Sequence, residues 1–145
     1  MNPPRAPLLR SFVLADYEPA LALWRASEGI GLNESDTREA IAAFLDRNPG
    51  LSLVATDTDG ALVGAVLCGH DGRRGYLHHL AVAAAHRRRG IGRALVDEAL
   101  ARLRARGLAK CNLFLYAHHA AGRAFWLHGG WAARDDLVLL QRPLR

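Results

Sequence analysis

Residues 86–95 read HRRRGIGRAL, a stretch that sets three consecutive arginines against two glycines. It follows a predicted strand that ends in Leu-Ala-Val, and it opens a predicted helix. The first N–H groups of a helix lack intrahelical partners, and the helix dipole adds partial positive charge there. Gly90 and Gly92 have no Cβ, so an anion can come close to the backbone, and the arginines can donate charge-assisted hydrogen bonds to it. The stretch therefore predicts an anion site of the kind that binds phosphate.

Two common phosphate motifs do not match this stretch. Leu95 stands where the dinucleotide fingerprint G-x-G-x-x-G requires its third glycine, and no Gly-Lys-Ser/Thr follows as a P-loop requires. Local chemistry alone leaves two other interpretations open. The arginines could form a nucleic-acid-binding patch, or the helix could simply begin with basic residues.

The composition is that of an ordinary globular protein. The chain has 145 residues, of which 50% are hydrophobic and 23% charged, and this length suits one domain with a sizeable core. We therefore expect a single domain over residues 1–145. The formal net charge of +5 permits a polyanionic partner, but it does not choose between nucleic acid, a membrane surface and a phosphorylated cofactor.

The cysteines and the apolar runs limit the classes of protein to which this chain can belong. Cys68 and Cys111 have neither the paired spacing of a zinc site nor a redox motif, so we expect buried thiols and no metal. The N-terminus shows no signal-peptide pattern, and no apolar run reaches the roughly 18 residues that a membrane span needs. We therefore expect a cytoplasmic protein that does not bind membranes.

The order of predicted elements is that of an α/β fold. Asp16 is the predicted cap of the first helix, and Ser35 or Asp36 that of the second. Apolar periodicity and turn signals predict strands over 8–14, 51–56, 61–70, 74–82, 111–116 and 137–142, and helices over 17–27, about 37–48, 91–107 and 120–130. Along the strand before the arginines, the period of two places Tyr76, His78 and Leu80 on one face and Leu77, His79 and Ala81 on the other.

The pattern Arg87-x-x-Gly90-x-Gly92 after "LAV" resembles the signature of the GNAT superfamily of acyl-CoA-dependent N-acyltransferases. A second pattern, typical of the last helix of that family, is matched by His119, Gly122, Phe125, Trp126, Gly130 and Trp131. Element order and length agree as well, so the resemblance covers nearly the whole chain. It implies a central mixed, twisted sheet of six to seven strands flanked by about four helices, with a splay between the fourth and fifth strands.

The resemblance implies an N-acetyltransferase that transfers the acetyl group of acetyl-CoA to a primary amine of a small molecule or protein by direct attack in a ternary complex. In the family, the glycine loop binds the pyrophosphate, while backbone groups of the preceding strand hold the pantetheine arm and the oxyanion. The implied cofactor-binding residues are Leu80, Ala81, Val82, Arg87, Arg88, Arg89, Gly90, Ile91, Gly92, Arg93, His119 and Trp126.

Three residues are the catalytic candidates. His78 titrates near neutrality, which suits a general base, and the serotonin N-acetyltransferases have histidines at the positions that match Tyr76 and His78. Trp126 stands where many members carry a tyrosine general acid, so that role passes to Tyr76 or Tyr116. His119 stands where the family usually has asparagine. In the acceptor loop, the segment that joins the first two predicted helices, Glu28, Glu34 and Asp36 are expected to attract a cationic amine.

Two functions outside amine acetylation stay open. One is a non-catalytic acyl-CoA-binding regulatory module, which the missing tyrosine favours, whereas His78 and the intact glycine loop favour catalysis. The other is a basic nucleic-acid-binding protein, against which the concentration of arginines at the glycine loop argues. The acceptor amine stays open, and a homodimer is possible because many relatives form one.

Overall fold

The computed structural model describes residues 7–145, and its central element is a sheet of five strands. The strands are β1 Leu8–Ser11, β2 Leu53–Thr56, β3 Leu62–His70, β4 Gly75–Val82 and β5 Cys111–Leu113. The helices are α1 Tyr17–Arg25, α2 Arg38–Arg47, α3 Ile91–Ala105 and α4 Ala120–His128. Short 3-10 turns cover Leu14–Asp16, Glu34–Asp36 and Ala84–His86. Two compact units divide the chain, Met1–Phe114 and Leu115–Arg145.

The sheet is mixed and follows chain order, β1-β2-β3-β4-β5. The first three pairs are antiparallel, and β4 pairs with β5 in parallel after the crossover through α3. The predicted α/β class and the order of elements are therefore confirmed up to α4. The count of six to seven strands is not confirmed, because residues 137–142 form no strand and Leu137–Leu140 are exposed. A strand needs a partner ladder, and the described residues offer none to this segment.

Helices cover both faces of the sheet in the first unit. On one face, Leu95 and Leu103 of α3 lie against Gly64 and Gly75. On the other face, the buried side chains of α1 and α2 pack on the strands, with Trp24 fully buried. This second cluster contains Phe12, Tyr17, Ala20, Leu21, Trp24, Ile41, Val54, Ala65, Leu67 and Ala81. The face that α1 and α2 cover is called the acceptor face below.

The predicted helix caps need correction. Thr37, and neither Ser35 nor Asp36, caps α2 by accepting a hydrogen bond from the Ala40 N–H at 3.1 Å. Asp16 makes no cap bond to α1, because its carboxylate accepts from the Val13 N–H and from both guanidinium nitrogens of Arg10. The hydrogen bond from Arg10 is also the main reason that the pKa of Asp16 is lowered.

The two thiols differ in environment. Cys68 is buried on β3, as predicted, and burial raises its pKa to about 12. Cys111, at the start of β5, is only partly buried, and its pKa is raised to about 11 by the same cause. Neither thiol is set up as a nucleophile, because the thiolate is the reactive form.

Gly69 of β3 provides a test of packing on the acceptor face. A Cβ at this position would lie 2.7 Å from Nδ2 of Asn48 and 2.8 Å from the Phe44 ring. Asn48 is buried and also accepts from the His70 N–H at 3.0 Å, so it cannot move without losing a buried bond. We expect Gly69→Ala to destabilise the protein by about 1–3 kcal/mol, measured by urea unfolding. An unchanged urea midpoint would show that the end of α2 can shift away from the added methyl group without loss of stability.

Candidate active site

The pairing between β4 and β5 ends early. Only Gly75, Tyr76 and Leu77 of β4 have partners on β5, whereas β4 itself continues to Val82 along β3. On the β5 side, residues 78–82 therefore have no strand partner within residues 7–145. The edge of β4 that does not pair with β3 thus lacks a strand partner where a splay was predicted, and a free strand edge can hold an extended ligand as another strand would.

A β-bulge interrupts β4 inside the unpaired segment. Ala81 pairs with Ala65 and His78 with Leu67, so a single residue of β3 stands opposite both His79 and Leu80. His79 has φ 55°, in the left-handed region, and its carbonyl accepts a hydrogen bond from Nε1 of Trp24 at 3.0 Å. A bulge changes which way the following side chains point.

The predicted alternation along β4 is therefore wrong for His79. Its imidazole lies 5.1 Å, centroid to centroid, from the Trp24 ring of α1. The His78 imidazole lies 6.0 Å from the Phe44 ring of α2. Both imidazoles consequently lie on the acceptor face, whereas strict alternation had placed them on opposite faces.

His78 is held between aromatic rings. Its imidazole stacks on Tyr76 at 6.3 Å and meets the edge of Phe44, and Tyr76 in turn stacks on Phe114 at 6.1 Å. Burial, and then the charge of His79, lower the pKa of His78, while Asp36 acts in the opposite direction. Its ring nitrogens make no hydrogen bond to the described residues, and neither nitrogen is completely buried. A neutral imidazole with a free lone pair can accept a proton.

Asp36, predicted as a helix cap or as a carboxylate that attracts the acceptor amine, contacts His79, which sequence reasoning missed. Its Oδ1 lies 2.8 Å from Nε2 of His79, and both side chains are nearly buried, with exposed fractions of 8% and 17%. The other oxygen, Oδ2, accepts from the Asn33 N–H at 3.0 Å, and the Asp36 carbonyl accepts from the Tyr17 hydroxyl at 2.6 Å. The sequence signals were a carboxylate in a capping position and its place in an acidic loop, and neither connects Asp36 with His79.

The start of α3 fits a phosphate group. Gly90 has φ +78°, and a Cβ there would meet nothing within 4 Å, so the space beside its backbone is open. The Ala94 N–H bonds to the Gly90 carbonyl at 3.0 Å as the first turn of α3 closes. The N–H groups of residues 91–93 therefore lack an intrahelical acceptor, and no side chain caps them. These donors and the helix dipole favour an anion.

The arginines around this loop divide into two kinds. Nε of Arg87 donates to the Val82 carbonyl at 3.1 Å, which ties the loop back to the end of β4. Arg93 lies 3.7 Å from Asp97, one turn along α3. Arg88 and Arg89 are exposed and make no side-chain hydrogen bond with residues 7–145, and Arg88 has φ 64°. Arg88 and Arg89 thus bring to the loop two positive charges that have no partner among the described residues.

Tyr116, His119 and Trp126 belong to the second unit. The predicted strand 111–116 ends at Leu113, so Tyr116 is an exposed loop residue whose ring stacks on His118 at 5.6 Å. His119 is the N-cap position of α4, where its Nδ1 is buried without a partner against Gly122. Trp126 packs edge to face with Trp131 at 5.1 Å.

The acceptor loop joins α1 to α2. Glu28 and Glu34 are exposed there, and Glu34 begins the 3-10 turn that carries Asp36.

No group of histidines, cysteines and carboxylates within the described part of the chain could hold a metal ion. In the same part, no helix has the length and apolar character that crossing a membrane requires.

The family model of the acetyltransferase (GNAT) family matches residues 16–130, which is most of the chain. The chain belongs to the GNAT acetyltransferase family. This membership confirms the enzyme class predicted from the sequence, an acyl-CoA-dependent acetyltransferase, with acetyl-CoA as cosubstrate.

Relatives and solved structures of the GNAT family match this chain over nearly its full length. Acetyltransferase SG1711 of Sodalis glossinidius (strain morsitans) is 31% identical over 136 residues, 94% of each protein. Acetyltransferase YE1169 of Yersinia enterocolitica is 31% identical over 92% of this chain and 94% of that protein. The structure of PaiA N-acetyltransferase from Thermoplasma acidophilum in complex with coenzyme A has a TM-score of 0.79 at 20% identity, and the match covers 90% of this chain and 92% of that one.

Proposed function

We propose that this GNAT protein acetylates a primary amine of a small molecule or protein in a ternary complex with acetyl-CoA. The observation that carries the proposal is the free edge of β4, which runs directly into the open, arginine-flanked start of α3. A free strand edge suits an extended amide-containing arm, and a helix start suits the phosphates at its far end. The imidazole of His78 lies on the same strand.

The anion site holds the cosubstrate through backbone and side-chain donors. The free N–H groups at the start of α3 would bind the pyrophosphate, with Gly90 and Gly92 leaving room and Arg88 and Arg89 contributing charge. Leu80, Ala81 and Val82 would bind the arm through their backbone, and one of their N–H groups would serve as the oxyanion donor. When bound, acetyl-CoA supplies an activated acetyl group on a thioester.

His78 acts as the base that accepts a proton from the attacking amine. Its lowered pKa favours the neutral imidazole near neutral pH, and its ring nitrogens make no hydrogen bond with residues 7–145. Tyr76, stacked on His78, or Tyr116 is the proposed acid for the departing sulfur. Glu28 and Glu34 are the proposed attractors of a cationic acceptor, and His119 and Trp126 complete the proposed cosubstrate contacts.

The test is release of free thiol from acetyl-CoA in the presence of a panel of alkylamines, amino acids and peptide N-termini. We expect amine-dependent thiol release, with the acetylated product confirmed by mass. Binding of acetyl-CoA without thiol release on the whole panel would instead support a regulatory acyl-CoA-binding module. Salt-sensitive binding to DNA that acetyl-CoA does not compete away would support the nucleic-acid alternative.

A further inference from the structure

An amine that arrives as an ammonium ion must lose two protons before it becomes an amide. A lysine-like ammonium has a pKa of about 10.4, so it is protonated at neutral pH. The first proton has to leave before the nitrogen lone pair can attack, and the second leaves once the N–C bond has formed. This inference rests on the proposed function, because it concerns how the same site handles those two protons.

The bulge in β4 places two imidazoles on the acceptor face, whereas strict alternation would place them on opposite faces. His78 faces Phe44 and His79 faces Trp24, both on the acceptor face. The charged and titratable groups around His79 are His78 on its own strand, Asp36 from the acceptor loop and, through the Asp36 carbonyl, the Tyr17 hydroxyl of α1.

Asp36 fixes the tautomer of the neutral His79 ring. A carboxylate only accepts hydrogen bonds, so Nε2 of His79 carries the hydrogen that points to Oδ1 at 2.8 Å. Nδ1 is then left with the lone pair. It makes no hydrogen bond with residues 7–145, and it is not completely buried. Asp36 itself is immobilised by the bonds from Asn33 and Tyr17.

We propose that His79, oriented by Asp36, takes the first proton from the acceptor ammonium, and that His78 takes the second. The ammonium N–H bond breaks, its proton moves to Nδ1 of His79, and the electron pair stays on nitrogen. That pair forms the N–C bond to the thioester carbonyl, the C–S bond breaks with its electrons on sulfur, and the remaining excess proton passes from nitrogen to His78. One proton ends on the thiol sulfur and the other in solvent.

The order in which His79 and His78 accept the two protons follows from the groups that contact each imidazole. The carboxylate of Asp36 compensates the positive charge that His79 gains, in the way an aspartate supports a catalytic imidazolium. His78 has aromatic neighbours and no carboxylate partner, so an imidazolium there is disfavoured and gives its proton up readily. A base that holds a proton only briefly before it passes the proton on needs this property.

The experiment compares His79→Asn and wild type with two acceptors, the best alkylamine of the panel and its β,β-difluoro analogue. Fluorine withdraws electrons and leaves the analogue largely unprotonated at pH 7.5. Asparagine tolerates positive φ, so the bulge is kept, and thermal unfolding checks the fold. We expect His79→Asn to lower kcat at least 10-fold with the alkylamine and less than twofold with the analogue. His78→Gln should slow both acceptors equally.

Imidazole ¹⁵N NMR of the free protein gives a readout besides activity. We expect His79 of the wild type to be in the Nε2–H tautomer and Asp36→Asn to lose that preference. Equal losses of kcat with both acceptors, no loss at all, or a His79 tautomer indifferent to Asp36 would each overturn the inference. Absence of turnover by the wild type with every amine would overturn the proposed function as well, which distinguishes the two failures.

Discussion

Gly92→Glu is expected to weaken acetyl-CoA binding at least 100-fold while the protein stays folded. Gly92 is the second residue of α3, where the N–H groups have no intrahelical acceptor. A carboxylate there occupies the position proposed for phosphate and repels the remaining phosphate charge. A 100-fold change corresponds to about 2.7 kcal/mol, which the loss of one or two charge-assisted hydrogen bonds supplies.

The helix itself should tolerate the substitution. Acidic side chains in the first turn stabilise a helix by about 0.3–1 kcal/mol, and replacing glycine inside a helix adds favourable propensity. Gly92 has no positive φ, so a side chain causes no backbone strain. Calorimetric titration with acetyl-CoA measures the affinity, and Gly92→Gln is the matched control because it has the same shape without the charge. If the two variants bound acetyl-CoA with equal affinity, the proposal that the start of α3 binds an anion would be contradicted.

The start of α3, where we propose the anion site, could be predicted because its signal is local. The glycines, the arginines and the helix that follows are adjacent in sequence, and the geometry of a helix start depends on its own backbone. The sequence did not show that the arginines differ in their contacts. Arg87 bonds to the Val82 carbonyl and Arg93 lies near Asp97, whereas Arg88 and Arg89 extend from the loop.

The two-imidazole arrangement could not be predicted because it depends on the partner strand. A period of two holds only while each residue faces one partner, and the bulge at His79 and Leu80 is defined by the register with β3. His79 adopts a positive φ without glycine or asparagine to mark it. The bond from His79 to Asp36 spans 43 residues, so no local pattern connects the two side chains.

The strands were predicted best where burial on both sides constrains them. β2 and most of β3 are buried along their length, and their continuous apolar runs were identified with nearly correct ends. At the edge of the sheet the apolar runs predicted more strand than the structure contains. The strand predicted over 111–116 ends at Leu113, and Leu137–Leu140, which were predicted as part of a strand, are exposed. An apolar run shows that burial is favourable, but strand formation also requires an unpaired neighbour in reach.

His78→Gln is expected to lower kcat by about 100- to 1,000-fold near neutral pH, with the affinity for acetyl-CoA unchanged, because general base catalysis contributes roughly that much. Glutamine keeps a polar side chain of similar length but cannot accept a proton. His128→Gln is the matched control, since it makes the same substitution at an exposed histidine and should leave kcat within twofold. Rates are measured by thiol release under saturating acetyl-CoA.

The pH profile distinguishes a base from a packing residue. Burial and the neighbouring His79 lower the pKa of His78, so the wild-type rate should hold as pH falls past the ordinary value of 6.5 and decline only when His78 becomes protonated. Without His78, a base from solvent has to take the second proton, and hydroxide becomes more abundant as pH rises, so the rate of the variant should keep rising above neutral pH. The ratio of the two rates is therefore largest near neutrality and shrinks at both ends. A constant ratio across the range would contradict the role of base and leave His78 as an aromatic-packed side chain that supports Tyr76 and Phe44.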